Sequence, residues 1–302
     1  MKKFLLILLT ICFVFSGCAE KSITQNNNEK IKIITSAFPQ YDFAKNIFGD
    51  KADVSMLLPF ESDSHHFEPT PRDIIKINEC DLFISVGGKS EHWLEDILKT
   101  SEIATKKILV LSDFFELKTV SVHDGHEEYD EHIWTSVKNS EKICEEIYKK
   151  AIEIDTENSE YYKTNFETYT EKLKKLDEKF TEIVNSSSRN TIIFGDRFPF
   201  LYFANDYNLD YYSAFPGCSS ETEPSVATLA KLTDKIINEN IPVVFHIEFS
   251  NEKIADILCE NTDAKKMLFH SCHNITKKQM EENESYISLM ERNAENLKEA
   301  LR

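Results

Sequence analysis

The sequence predicts an α/β protein of two similar lobes, each with a mostly parallel sheet flanked by helices, joined by one long backbone helix. Short apolar segments alternate with amphipathic helical segments in both halves of the chain, which is typical of parallel sheets covered on both faces. A single unbroken helical pattern, residues 158–184, separates the two halves. The length of 302 residues is enough for two ordinary domains.

The first thirty residues have the organisation of an export signal followed by an anchor. Residues 4–15 are an apolar run after a short basic start, too short for a mature membrane span but suited to a secretory signal. Small residues precede Cys18, and this resembles the bacterial lipobox, whose cysteine is lipidated. The alternative is an ordinary signal peptide that contains a cysteine. We predict a signal peptide over 1–17 and a lipid-anchored tether over 18–30, which place the protein outside the cytoplasm on the bacterial cell membrane.

Residues 31–154 predict an N-terminal lobe. A helix is expected to start at Thr70, because threonine caps a helix, Pro71 fits the first helical position and Asp73 supplies an acid three residues after the cap. The segment 119–131 interrupts the strand–helix alternation and is interpreted as a loop. The other expected elements are strands at 31–36, 52–58, 82–86 and 107–111 and helices at 42–48, 93–99 and 139–151.

The linking segment, residues 155–188, contains the long helical pattern. Its apolar residues recur at three- and four-residue steps without Gly or Pro, which predicts a rigid spine of about 40 Å. Residues 189–302 predict a C-terminal lobe. Its expected elements are strands at 191–194, 209–214, 243–248 and 267–270 and helices at 200–206, 225–238, 251–260 and 285–300.

Three histidines, His65, His132 and His270, lie at predicted strand-to-helix junctions. Ligands of open α/β sheets bind outside the carboxyl ends of the strands, so these positions are candidates for one shared cleft. Neutral imidazole is a common ligand of zinc. The alternative is that each histidine is an isolated polar loop residue.

From about residue 31 to 302 the chain resembles the zinc/manganese-binding solute-binding lipoproteins of bacterial metal ABC importers, the ZnuA/TroA-like family. The segment DSHHFEPTPRD (63–73) is similar to the family's D-P-H-x-Y-E-P, and DEHIWTSVKN (130–139) is similar to D-P-H-x-W-x-x-P-x-N. FANDYNL, ETEPS and YISLMERNAENLKEAL are similar to parts of the family's second lobe and C-terminal helix. The resemblance implies that His65 and His132 bind metal, and that the protein passes the metal to the membrane subunit of an ABC permease.

The third ligand of the family is a His or Glu directly after the strand that opens the second lobe. Here that place holds Gly195, followed by Asp196 and Arg197. Asp196 is the nearest acceptor and is taken as the predicted ligand. Two alternatives stay open: Asp196 caps the following turn, or Arg197 neutralises it.

The fourth ligand of the family is an Asp before a Ser near the last strand, where this chain has His270 before a Ser. The resemblance therefore assigns that role to His270, with Cys272 and His273 as alternatives. Three alternatives stay open for Cys218 and Cys272. They form a disulfide with each other, one of them gives a thiolate ligand to the metal, or both are buried free thiols.

The predicted set of His65, His132, Asp196 and His270 favours Zn²⁺, because three imidazoles and one carboxylate suit a tetrahedral, borderline-soft ion, whereas Mn²⁺ prefers more oxygen donors. A net charge of −17 repels phosphate backbones but not cations, so no nucleic-acid partner is expected. The chain has no HExxH, Gly-x-Ser-x-Gly or Walker motif, and we predict that it is not an enzyme. A zinc-dependent extracytoplasmic hydrolase and a manganese-binding surface adhesin are the alternatives.

Overall fold

The computed structural model describes residues 30–100, 107–123, 126–215, 217 and 224–302. The predicted signal peptide and the lipidation site Cys18 lie outside the described residues. The chain from Ile31 to Arg302 is one compact unit. In the part of the chain that is described, no helix combines the length and the apolar character that a membrane span requires.

The first half of this unit is built on a four-stranded parallel sheet with the order β2-β1-β3-β4. In its centre, Ile33 pairs with Val54 on one side and with Leu82 on the other. The strands are β1 (Ile31–Thr35), β2 (Ala52–Met56), β3 (Leu82–Ser85) and β4 (Ile108–Val110), and the helices between them are α1 (Phe38–Phe48), α2 (Pro71–Glu79) and α3 (Trp93–Thr100).

The start of α2 has the cap that its sequence predicts. The Thr70 hydroxyl accepts a hydrogen bond from the Asp73 N–H, and the Asp73 carboxylate accepts one from the Thr70 N–H. A cap of this kind stabilises a helix by ~1 kcal/mol. It fixes the point at which the segment between β2 and α2 rejoins regular structure.

The loop predicted over 119–131 is wrong in the structure, because β5 (Thr119–His123) and β6 (His126–Tyr129) form an antiparallel pair. Between them the sequence has Asp124-Gly125, a pair typical of two-residue hairpin turns. That dipeptide and the β-branched residues of β5 were signals for a hairpin. The charged residues of the following segment, HEEYDE (126–131), concealed the alternation of polar and apolar residues that is typical of a strand.

The long helix α5 (Ser159–Ser186) follows α4 (Val137–Ile154) and joins the two halves. It packs against α1, α4 and the C-terminal helix. Asn165 donates to the Ile47 carbonyl in the first half at 3.0 Å, and Asp177 accepts from the Tyr207 hydroxyl in the second at 2.7 Å. The predicted spine is therefore confirmed, and it is bonded to both halves.

The second half repeats the architecture with a four-stranded parallel sheet in the order β10-β9-β7-β8. Its strands are β7 (Thr191–Phe194), β8 (Asp210–Ser213), β9 (Val243–His246) and β10 (Lys265–Leu268), and its helices are α6 (Leu201–Asp206), α7 (Val226–Glu239), α8 (Lys253–Glu260), α9 (Lys277–Glu281) and α10 (Tyr286–Ala300).

The central strands of both sheets are buried on both faces, and successive residues enter different cores. Ile33 faces a large core whereas its neighbour Ile34 faces a smaller one with Trp93. In the second sheet, Phe194 faces that same large core, and Ile193 faces a separate one beneath α8. One shared core thus runs through both halves. This arrangement explains why the strands read as continuous apolar runs rather than alternating ones.

Candidate metal site

Three histidines from distant parts of the sequence meet at the ends of strands. Among the described residues, His65, His132 and His273 form one group in which each offers a possible ligand atom, and these atoms all lie within 4.8 Å of one another. His65 lies after β2, His132 after β6 and His273 after β10. Two of the three histidines predicted to share one cleft, His65 and His132, therefore lie together, and the third member of the group is His273 from the second half of the molecule.

The three rings surround a common point. Their centroids are 5.7 Å apart for His65 and His132, 5.8 Å for His65 and His273, and 5.5 Å for His132 and His273. Nitrogens bound to one tetrahedral zinc ion at ~2.1 Å lie about 3.4 Å from each other. Binding of one zinc ion would therefore shorten the distances between these donor atoms, which lie within 4.8 Å, by at most about 1.4 Å.

His132 is the most firmly held of the three. Its Nδ1 lies 2.7 Å from Asp130 Oδ1, and the same oxygen accepts the His132 backbone N–H at 2.8 Å. Both side chains are almost completely buried. A histidine that gives its Nδ1–H to a carboxylate presents Nε2 to a metal, and the carboxylate fixes the ring orientation.

His65 lies on a more exposed turn. Asp63 Oδ1 accepts the His65 backbone N–H at 2.9 Å and caps this turn. The ring Nδ1 lies 3.6 Å from Glu131 Oε1, while Glu131 Oε2 accepts the Ser90 N–H at 3.0 Å. The His65 side chain is 23% exposed, compared with 4% for His132. Solvent therefore reaches the group from the His65 side.

His273 is placed by the backbone that precedes it. Cys272 has a φ of 60°, a left-handed conformation that turns the chain between the two histidines of the segment. Glu248 accepts the N–H groups of Ser271 at 2.7 Å and His273 at 3.3 Å. The His273 ring lies 4.9 Å from the Trp134 ring, whose Nε1 donates to the Ser271 carbonyl at 2.8 Å.

The surroundings of His273 keep its ring neutral. Burial first, and then the charges of His132, His65 and Arg197, lower the pKa of His273 well below 6.5. An imidazole must be deprotonated to bind a metal, so a lowered pKa extends its competence to more acidic solution.

The predicted ligand His270 lies outside the three-histidine group as the structure describes it. Its Nδ1 accepts the Cys272 N–H at 3.0 Å, and its backbone N–H and carbonyl are both bonded to the Asn293 side chain at 2.7 Å. Its side chain is 4% exposed. The backbone and Nδ1 of His270 thus hold the turn that presents His273, the alternative that the sequence offered, while His270 Nε2 is buried without a hydrogen-bond partner among the described residues.

The predicted ligand Asp196 is also absent from the group among the described residues. Its two oxygens accept the N–H groups of Arg197 at 2.8 Å and Ile247 at 3.1 Å, so it ties the end of β7 to the end of β9. A Cβ on Gly195 would lie 2.5 Å from the Ala255 backbone in α8. The position where the family has a ligand therefore faces a helix with no room for a side chain.

The side chain of Arg197 does not neutralise Asp196 but crosses to the first half of the molecule. Its Nη1 donates to Asp63 Oδ2 at 2.8 Å. Burial tends to raise the pKa of Asp63, but the His65 N–H and the Arg197 guanidinium outweigh it and hold that pKa below its usual value. Asp63 is therefore ionised and joins Arg197 to the backbone of His65.

The cysteine predictions are tested only in part. Cys218 lies outside the described residues. Cys272 is a buried free thiol, and burial raises its pKa well above the usual value. Cys80 and Cys144 are buried free thiols as well, and Cys259 is a free thiol that is only partly buried.

Two residues of the site were not anticipated from the sequence. Glu131 stands where the family's D-P-H pattern has proline, and this departure was the available signal for an additional carboxylate beside a ligand. Asp63 belongs to the matched segment, but its pairing with Arg197 joins residues 134 positions apart. No local pattern reveals such a contact.

The two sheets, the spine and the histidine group together define a class of two-lobed proteins with a histidine-rich metal site. The model of the family described as zinc-uptake complex component A, periplasmic (ZnuA), matches residues 33–300, and the chain belongs to this family. The resemblance stated from the sequence is thereby confirmed.

Relatives and solved structures agree with this assignment. The chain is 28% identical over 315 residues to the high-affinity zinc uptake system protein ZnuA of Bacillus subtilis, covering 98% of this chain and 97% of that protein. It is 28% identical over 320 residues to the zinc-binding protein AdcA of Streptococcus pyogenes serotype M18, covering 99% of this chain but only 61% of that longer protein. The Zn(II)-bound ZnuA-like domain of Streptococcus pneumoniae AdcA superimposes with a TM-score of 0.77 at 27% identity, covering 90% of this chain and 99% of that one. The predicted fold class is confirmed.

Proposed function

We propose that this protein is an extracytoplasmic solute-binding protein that captures Zn²⁺ between its two lobes and delivers it to an ABC permease. The observation that carries the proposal is the meeting of His65, His132 and His273 within 4.8 Å. The names of the relatives, a zinc uptake protein and a zinc-binding protein, support zinc as the cargo.

In this proposal the ligands are His65 and His132 from the first lobe and His273 from the second. His273 takes the place that the sequence assigned to His270, because the His273 ring lies with those of His65 and His132, whereas His270 Nδ1 accepts the Cys272 N–H. Asp196 is proposed as a structural carboxylate for the same reason. Among the described residues this group contains imidazoles and no carboxylate, and such a set favours zinc over manganese more strongly than the predicted set with Asp196.

The charge around the histidines suits a cation. Asp130 and Glu131 lie behind the rings of His132 and His65, and Glu248 lies behind the backbone of His273. These carboxylates are partners of the ligands rather than of the ion itself. They orient the rings and offset part of the positive charge that zinc brings.

Three histidines leave one of the four positions of a tetrahedral zinc ion open, which is also the arrangement in catalytic zinc sites. The hydrolase alternative therefore has a structural basis. The relatives described above are named for zinc uptake or zinc binding, and this supports carriage rather than catalysis. Anchoring through a lipid on Cys18 belongs to the proposal, since it would keep the loaded protein close to its permease.

The test is a competition titration of the purified protein with zinc and a chelator, together with anomalous diffraction at the zinc and manganese edges. We expect one tight zinc site at the three histidines and loss of that site in the His65→Ala/His132→Ala/His273→Ala variant. His92→Ala is the matched control, because His92 lies outside the group, with its Nε2 3.4 Å from Glu68. Zinc held by the triple variant as firmly as by the parent, or zinc-dependent hydrolysis of substrate, contradicts the proposal.

A further inference from the structure

In the family pattern the loop after the first strand of the second lobe supplies a ligand; in this chain it makes a different connection. Gly195 has no room for a side chain, and Asp196 is bonded to backbone N–H groups. Arg197 instead reaches across to Asp63, two residues before His65. The loop after β7 therefore contacts the site indirectly, through Asp63 of the first lobe.

Asp63 connects the two partners with separate oxygens. Oδ2 accepts from Arg197 Nη1 at 2.8 Å, and Oδ1 accepts from the His65 N–H at 2.9 Å. Arg197 of the second lobe is thereby connected, through Asp63, to the backbone of the first-lobe ligand His65. Charge-assisted hydrogen bonds of this length are among the stronger polar contacts in proteins.

The rest of the boundary between the lobes is closed by buried contacts. The Trp134 indole donates to the Ser271 carbonyl at 2.8 Å, and the Tyr202 hydroxyl donates to the Asp130 carbonyl at 2.7 Å. The shared core also contains side chains of both sheets. Wide separation of the lobes would break these contacts, so a local opening is the less costly route for an ion.

We expect such a local opening at the His65 turn, because this turn is more exposed than the segment that carries His132. His65 is the more exposed of the two first-lobe ligands, at 23% against 4% for His132. Asn274 of the second lobe holds the start of the turn through the carbonyls of Pro59 and Ser62. Beyond those bonds, two contacts join the turn to the second lobe: the Asp63–Arg197 pair at 2.8 Å, and Ser64 Oγ, which lies 3.4 Å from His273 Nδ1.

We propose that metal enters and leaves beside His65, and that Arg197 is a positioning residue that acts through Asp63 to hold the His65 turn closed. The inference rests on the proposed function, because the ion is the zinc captured by the three histidines. Breaking the pair is expected to speed zinc release while leaving the ligands in place.

The charge of Arg197 gives the pair a second effect. The guanidinium is separated from the His65 backbone by a single residue, because Asp63 bonds to both. Without the Asp63 charge, this guanidinium would lose the carboxylate with which it pairs at 2.8 Å, and its positive charge would oppose the positive charge of the ion. Removing the Asp63 charge alone should therefore accelerate release at least as much as removing Arg197 alone, and removing both should be no worse than removing Asp63.

The experiment measures the rate of zinc transfer to an excess of chelator by stopped flow. The variants are Arg197→Gln, Asp63→Asn, which keeps an acceptor for the His65 N–H, and the double variant. We expect each single variant to release zinc about three- to tenfold faster, in the range of a partly exposed charged hydrogen bond. Lys179→Gln is the control, because it removes a lysine ion-paired with Glu295 at 2.8 Å on the spine.

The dependence on salt separates a charge effect from a general loosening. Release from the parent should quicken with ionic strength, whereas release from the double variant should depend on it much less. Three outcomes would overturn the inference. Both single variants release zinc at the parental rate, or the acceleration in the double variant is the product of those in the single variants. The third outcome is that Lys179→Gln accelerates release as much as they do. A failed proposed function looks different, because the parent itself then lacks a tight site at the histidines.

Discussion

The two lobes share one architecture but use their polar residues differently. In the first lobe, the His65 and His132 rings lie together, Asp130 holds the His132 ring at 2.7 Å, and Glu131 lies 3.6 Å from the His65 ring. Of the second-lobe residues that the structure describes, His273 alone joins the group, and a carboxylate holds its backbone rather than its ring. The first lobe therefore builds most of the site, while the second lobe uses its polar residues mainly as scaffold.

The largest expected effect distinguishes the roles of the two second-lobe histidines, His270 and His273. We expect His273→Ala to weaken zinc binding by about a thousandfold, or ~4 kcal/mol, which is more than the loss of an outer carboxylate. His270→Ala should instead lower the melting temperature, because it removes the acceptor of the buried Cys272 N–H. Chelator competition and thermal unfolding of both variants decide the matter. A larger loss of affinity in His270→Ala would return the ligand role to His270.

A second test concerns how firmly the lobes are joined beneath the site. Asp42 of α1 accepts hydrogen bonds from the Tyr169 hydroxyl of α5 at 2.7 Å and from the Tyr286 N–H at the start of α10 at 3.2 Å. Burial raises the pKa of Asp42 from 3.8 to about 6. The folded state thus binds the proton more tightly than the unfolded state, so this contribution to stability is complete below pH ~4 and is lost as pH rises through ~6.

Asp42→Asn removes that ionisation. Between pH 4 and pH 7 the variant should lose less stability than the parent, by up to roughly 3 kcal/mol for a shift of this size. Denaturant unfolding at several pH values measures the difference, and zinc affinity at pH 7 should be unchanged. Parallel pH profiles for the two proteins would show that Asp42 does not titrate in this window.

The smallest expected effects come from the carboxylates behind the first-lobe ligands. Asp130→Asn should weaken zinc binding about tenfold, because an amide oxygen orients the His132 ring less strongly than a carboxylate. Glu131→Gln should cost less, since Glu131 lies 3.6 Å from His65 Nδ1, beyond a normal hydrogen bond. Equal losses in both variants would mean that the Glu131 contact shortens when zinc is bound.

The sequence was informative wherever the signal is local. The two buried sheets follow from apolar strand runs, the start of α2 follows from Thr70 and Asp73, and α5 follows from its unbroken apolar stripe. The pairing of His65 with His132 came from two matched segments. Each of these features depends on neighbours within a few residues or on a known pattern.

The second-lobe part of the site could not be predicted in the same way. His270 and His273 are three residues apart, and the left-handed backbone at Cys272 decides which of them faces the first lobe. That choice is fixed by Asn293 and Glu248, more than twenty positions away in either direction. Asp196 was chosen because it is the first acceptor after Gly195, but its oxygens are used by backbone groups.

The close approach of α8 to the end of β7 restricts how this site can change by mutation. Any side chain at position 195 meets the Ala255 backbone, since a Cβ there would lie 2.5 Å from it. A histidine or glutamate introduced at this position would have to push the helix away from the sheet and open the packing beneath it. For this chain, a ligand at position 195 therefore requires repacking of the second lobe in addition to the substitution of Gly195.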